Sequence, residues 1–118
     1  MENAVKFCAD LYRAVDNKDI NFLSKVLAED IDFRIANFPS VTGKKAVIIA
    51  NQQFFGTIKS MHHTLLNTYS VADDIFCHGT VDYQRLDGSA HQAFFSTALK
   101  LKQGKIAEYL VFADLSKL

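Results

Sequence analysis

The 118-residue sequence has no tryptophan, one proline and five glycines. It carries no linker, repeat or low-complexity stretch, so a fibrous or disordered chain is excluded. Two cysteines, Cys8 and Cys77, are too few for a disulfide framework and imply unpaired thiols in a reduced, cytoplasmic protein. Charge of one sign is missing as well: 13 Lys and Arg balance 13 Asp and Glu, leaving a formal net charge of zero. That argues against nucleic acid or an anionic membrane as a partner bound through charge. The densest basic groupings, Lys44-Lys45 and Lys100, Lys102, Lys105, read as solvated surface. No apolar run approaches the roughly 20 residues that span a bilayer. Met1-Glu2-Asn3 opens an amphipathic pattern rather than a signal peptide. Aromatic bulk is plentiful: ten Phe and four Tyr in a chain that is 49% hydrophobic and 22% charged. The length fits one domain, residues 1–118, and some of this bulk is expected to line a cavity or a subunit interface.

Val5, Cys8, Leu11, Tyr12 and Val15 recur at helical spacing and predict a helix from about Asn3 to Asp16. Asp19 can cap a short second helix carrying Ile20, Leu23, Val26 and Leu27. From Asp30 the period changes to two, with Ile31, Phe33 and Ile35 alternating with Asp32 and Arg34. After a loop containing Pro39, Thr42 offers a hydroxyl cap to a third helix with Val47, Ala50, Phe54 and Ile58 on one stripe. Beyond Gly56 everything reads as strands: about Met61–Ala72, Ile75–Arg85, Ala90–Lys102 and Lys105–Asp114. Turn chemistry separates them at Ala72-Asp73-Asp74, Leu86-Asp87-Gly88 and Gln103-Gly104. Short turns make antiparallel neighbours, so these four strands form a meander. Helices first and strands last is an α+β pattern. Three N-terminal helices over the concave face of a curved antiparallel sheet leave a cone with an open mouth, which is a pocket.

The order and punctuation resemble the nuclear-transport-factor-2-like superfamily of cone-shaped α+β proteins. The resemblance runs from Tyr12-Arg13-Ala14-Val15-Asp16-Asn17-Lys18-Asp19 through Leu27-Ala28-Glu29-Asp30-Ile31-Asp32-Phe33 and Thr42-Gly43-Lys44-Lys45-Ala46-Val47. It continues with Asp87-Gly88 and Gly104-Lys105-Ile106 and ends at Phe112-Ala113-Asp114. Its nearest flavour is the SnoaL-like group, related to polyketide cyclases and ketosteroid isomerases. The superfold also hosts dehydratases, epoxide hydrolases and non-catalytic binding modules, so fold alone does not name a reaction.

Two comparisons follow from that resemblance. Ketosteroid isomerases use a Tyr on the first helix, an Asp at the end of the first strand and a protonated Asp on a later strand. Alignment puts Leu11, Ile35 and Thr97 at these places, which argues against steroid isomerisation. SnoaL-like cyclases end their last strand in a basic Asp eight residues after the Ile of G-K/R-I. Asp114 follows Ile106 at that spacing and is the candidate base. Strand parity would put it on one face with Leu110 and Phe112, where desolvation raises a carboxyl pKa. The plainer reading is a strand-end Asp that meets solvent or caps a turn.

His62 and His63 are adjacent on a strand, so one faces inward, where it could orient a carbonyl or move a proton. A satisfied histidine is the commoner outcome. No ligand spacing links them to His78 or His91, so no metal is expected, and no phosphate-binding Gly-rich loop points to a cofactor. Tyr12, Phe33, Phe54, Thr97, Leu110 and Phe112 are expected to line the pocket. Phe76, His78, Thr80, Asp82 and Gln84 share one face of their strand, either a solvated outer face, the commoner case, or the wet part of a pocket. Phe94 and Ala98 share one face of the next strand and Phe95, Thr97 and Leu99 the other, so the open face of the sheet is expected to make a homodimer. The chain therefore reads as a binder of a small apolar, carbonyl-bearing molecule, either with cofactor-independent isomerase, cyclase or dehydratase chemistry or as a module without chemistry. An inward carboxylate beside the ligand would mark the enzyme; a pocket apolar throughout suits the binder.

Overall fold

Three helices precede a long meander, and the sequence pattern explains each break. The computed structural model describes residues 3–118; Met1 and Glu2, on which the amphipathic opening partly rests, lie outside the described residues. The helices are α1 (Ala4–Asp16), α2 (Ile20–Val26) and α3 (Lys44–Phe55). The strands are β1 (Leu27–Ile35), β2 (Val41–Thr42), β3 (Ile58–Val71), β4 (Asp74–Arg85), β5 (Ala90–Lys102) and β6 (Lys105–Ala113). They form one curved, unclosed sheet in the order β2-β1-β6-β5-β4-β3. The meander is antiparallel, as the short turns require, but β1 joins it by running parallel to β6, and β2 pairs antiparallel with β1. The α+β architecture is the one the sequence predicts, with a mixed rather than wholly antiparallel sheet. Among the described residues no helix is long and apolar enough to cross a membrane.

Cys8, Leu11, Tyr12 and Val15 form the buried stripe of α1 and meet Ile75, Cys77, Val81 and Phe95 of the sheet in one apolar cluster. Asp19 caps α2 as expected, its carboxylate accepting from the Phe22 amide at 3.0 Å. Thr42 does not cap α3. The N-cap is Gly43 at φ +95°, and the Thr42 hydroxyl instead donates to Asp32 Oδ1 at 2.6 Å, pinning β2 to β1. Leu27 and Ile58, read as helical from their spacing, open β1 and β3. Between α1 and α2, Lys18 takes a left-handed conformation at φ +55°. Its ammonium reaches the carbonyl oxygens of Phe55, Ile58 and Lys59 at 3.0, 3.3 and 3.4 Å, tying this turn to the end of α3.

Two irregularities in the ladder decide which side chains face inward. On β3, Leu65 pairs with Gly79 and Asn67 with His78, so Leu66 is an extra residue. On β6, Ile106 pairs with Leu101 and Glu108 with Lys100, so Ala107 is extra. The second bulge switches parity. Ile106 and Tyr109 both point into the core, while Phe112 is exposed on the outer face.

A candidate ligand cavity and a half-buried carboxylate–imidazole pair

Beyond the bulge, inward positions on β6 are Tyr109, Val111 and Ala113, which pack on the core, and outward ones are Leu110, Phe112 and Asp114. The parity expected from Ile106 to Asp114 therefore fails. Phe112 does not line a pocket; the Arg34 guanidinium lies over its ring, 5.9 Å from the centroid. Leu110 lies opposite Ala98 on the same outer face. Asp114 is exposed just past the end of β6. Its Oδ1 accepts from the Ser116 hydroxyl at 2.6 Å and the Ser116 amide at 3.0 Å. Those bonds hold its carboxyl below the usual carboxylate range, opposite to the rise expected for a buried base. Here the carboxylate caps a turn.

A cavity of about 510 Å³ opens between β1, α3 and the turn after β6. Phe33, Ile35, Phe38, Pro39 and Val41 form one wall. Ala50, Asn51, Gln53, Phe54 and Thr57 come from α3 and its end, and Leu115 and Leu118 close the remaining side. Of the expected lining residues, Phe33 and Phe54 are here, and so is Ile35, aligned with the isomerase base. Among the described residues no lining side chain is ionisable. The polar groups are partly committed: Thr57 Oγ1 donates to the Phe54 carbonyl at 2.6 Å and Asn51 Nδ2 to the Val47 carbonyl at 2.9 Å. The Asn51 carbonyl oxygen and the Gln53 amide remain for a ligand.

Tyr12 and Thr97 lie outside that lining, in the core behind it. The Tyr12 hydroxyl is hydrogen-bonded to Thr97 Oγ1 and also meets the Tyr109 hydroxyl. Burial pushes the pKa of both phenols up, so each stays protonated at neutral pH. Tyr109 stands edge-on to Phe33 with ring centroids 5.2 Å apart, placing this polar cluster directly behind the cavity wall. Leu11 is buried apolar packing, and Tyr12 is the residue that reaches Thr97. Cys8 and Cys77 are free and buried.

The two histidines separate as adjacent strand residues should. The His62 side chain is 74% exposed, and that of His63 only 7%. His63 Nδ1 sits 2.6 Å from Asp16 Oδ1, and Asp16 Oδ2 accepts from the His63 amide at 2.9 Å. The imidazole packs between Tyr12 and Phe95, with centroids 4.5 and 5.0 Å away. This pair borders a separate groove between α1 and β3, edged by Arg13, Asn17 and Leu65. Asp16 was missed from sequence because it belongs to an ordinary helix end far from His63; only pairing of α1 with β3 brings them together.

Residues 8–109 match the profile of the SnoaL-like domain. The chain belongs to this family. None of the curated proteins matches it significantly. Among solved structures, an NTF2-like protein of unknown function from Burkholderia pseudomallei has a TM-score of 0.88 at 16% identity, covering 99% of this chain and 95% of that one. A Jannaschia sp. protein described as a SnoaL-like polyketide cyclase has 0.84 at 14% identity, covering 96% and 86%. An LEH-like epoxide hydrolase from M. tuberculosis has 0.81 at 12% identity, covering 96% and 84%. At these identities the likeness is one of fold. The SnoaL-like domain here therefore shares its frame with cyclases and hydrolases of differing chemistry.

Proposed function

We propose that this SnoaL-like protein binds a small apolar molecule in the cavity between β1 and α3, and that no acid–base chemistry occurs inside that cavity. The observation that carries the reading is a wall of mostly Phe, Ile, Val, Leu and Pro that has, among the described residues, no ionisable side chain. A general base must lie within hydrogen-bond reach of the proton it takes. Burial of apolar surface supplies the affinity, and the Asn51 and Gln53 amides can orient one carbonyl or hydroxyl of the ligand. The test is titration with a neutral fluorescent probe, N-phenyl-1-naphthylamine. Ile35→Trp, which fills the cavity, should weaken binding at least tenfold, while His63→Gln leaves it unchanged. Equal binding by wild type and Ile35→Trp, or none by either, overturns the reading. Mass spectrometry of the gently desalted protein would identify what it retains.

A second reading, proton transfer at His63, is favoured by one observation: Asp16 fixes its Nδ1 at 2.6 Å, the arrangement that leaves Nε2 to act as a base. It places the chemistry in the α1–β3 groove. We also propose self-association through the outer sheet face, where Phe94 is 81% exposed and Phe76 and Phe112 are exposed as well. Sedimentation equilibrium at micromolar concentration should give a dimer, and Phe94→Lys a monomer. A wild-type monomer refutes it.

A further inference from the structure

Parts of the cavity wall belong to neither a helix nor a strand, among them Phe38 and Pro39 in the loop between β1 and β2 and the residues that follow β6. After β6 ends at Ala113, the chain reverses over residues 114–118 and presents Leu115 and Leu118 to the cavity. Two local bonds shape this turn: Asp114 Oδ1 holds Ser116, and the Leu118 amide donates to the Leu115 carbonyl at 3.1 Å. Leu115 and Leu118 pack against the core, and among the described residues one side chain from elsewhere in the fold hydrogen-bonds the turn. Arg85, at the end of β4, donates from Nε and Nη2 to the Lys117 carbonyl at 3.2 and 2.6 Å. The guanidinium is itself fixed, because Nη1 donates to the Ala90 carbonyl at 2.8 Å and to Ser89 Oγ at 3.2 Å. A planar fork with both ends engaged holds its position better than a flexible ammonium could.

We propose that residues 114–118 are a strap over the cavity, that Arg85 is its latch, and that ligand enters and leaves when the Arg85–Lys117 bonds break. The proposal rests on the ligand-binding reading of the cavity. Its basis is the division of labour just described: the strap supplies apolar wall and packs Leu115 and Leu118 on the core, yet among the described residues Arg85 is the one side chain that hydrogen-bonds it to the sheet. Fewer bonds need to break here than at any wall built from β1 or α3, whose backbones are held in regular ladders.

The experiment compares wild type, Arg85→Met and Arg85→Lys by two measurements. The first is the NMR exchange rate of the Ser116 and Leu118 amides, which needs no ligand. The second is the stopped-flow release rate of N-phenyl-1-naphthylamine. Arg85→Met keeps the aliphatic stem and should raise both rates about tenfold, with amides in the middle of β5 unchanged; Arg85→Lys should fall between. Accelerated exchange with an unchanged release rate overturns the gate, because the strap then moves without controlling passage. Unchanged exchange overturns the latch. If wild type fails to bind the probe, the ligand reading falls, and unchanged exchange in Arg85→Met would still refute the latch on its own.

Discussion

Gly79→Ala adds one methyl group where the sheet has no space for it. Gly79 lies on β4 opposite Leu65, beside the bulge at Leu66, and its φ is not in the left-handed region. Its requirement for glycine is therefore one of space. A Cβ at this position would sit 1.8 Å from the Thr64 carbonyl oxygen and 2.9 Å from the carbonyl carbon. Ordinary contact begins at about 3.5 Å, so the deficit exceeds an ångström. Thr64 is backbone in a paired strand and cannot swing aside as a side-chain tip could, so β3 and β4 must part. Overpacking costs about 1–3 kcal/mol in well-filled sites, and this clash belongs at the upper end. At about 4 °C per kcal/mol for a domain of this size, the melting temperature should fall by about 12 °C. Gly56→Ala is the internal control. Its Cβ would meet the carbonyl oxygens of Gln53 and Gln52 at 3.5 and 3.7 Å, and its φ of −74° suits alanine. It should be neutral or stabilise by about 0.4–1 kcal/mol through the unfolded chain. Urea and thermal denaturation followed by circular dichroism measure both. A Gly79→Ala protein within about 0.5 kcal/mol of wild type would refute the close-approach argument.

Tyr12→Phe removes the partner of Thr97 and Tyr109 inside the core, and should cost about 1–3 kcal/mol in urea denaturation. Thr97→Val made in the same chain should recover part of that loss, since both members of the pair are then apolar; strict additivity would show that the hydroxyls do not interact. Stability should also decline in alkali. Burial raises the Tyr83 phenol to about 12, with the charge of nearby Asp16 adding to the shift. The folded state thus holds this proton more tightly than the unfolded chain, whose phenol titrates near 10. The contribution is complete below pH ~10 and is lost as pH rises towards ~12. Urea midpoints should fall across that window and fall less in Tyr83→Phe; an identical slope in the two proteins counts against it.

Much of this fold is written in local chemistry. The Asp73-Asp74, Asp87-Gly88 and Gln103-Gly104 turns locate the meander, and alternation on β4 separates inward Ile75, Cys77, Val81 and Tyr83 from outward Phe76 and Asp82. The site was less legible because parity counting assumes an unbroken ladder. Nothing in Lys105-Ile106-Ala107-Glu108-Tyr109 announces that Ala107 is extra, and that one residue turns Leu110, Phe112 and Asp114 outward. The plainer reading of Asp114, a strand-end cap, is what Asp-x-Ser chemistry favours and what the structure contains. His63 could be narrowed to one of two by alternation, but its partner Asp16 depends on how α1 lies across the sheet. Leu115 and Leu118 follow the last strand, where no periodicity marks them as cavity wall.

The position of β6 has a consequence for how the chain acquires its structure. It is the last strand in sequence yet lies inside the sheet, flanked by β5 and by β1 from the opposite part of the chain. Leu27 and Ile106 become ladder partners only after nearly all of the sequence between them has been made. During synthesis, α1, α2 and β1 must leave the ribosome with their apolar faces uncovered, while β3, β4 and β5 can already pair as hairpins. Closure then depends on a parallel, long-range pairing, the slow and aggregation-exposed kind. A nascent chain stalled before Lys105 would leave β1 without its neighbour in the sheet and be open to chaperones and proteases, and the nine residues of β6 would complete the sheet in a single late step.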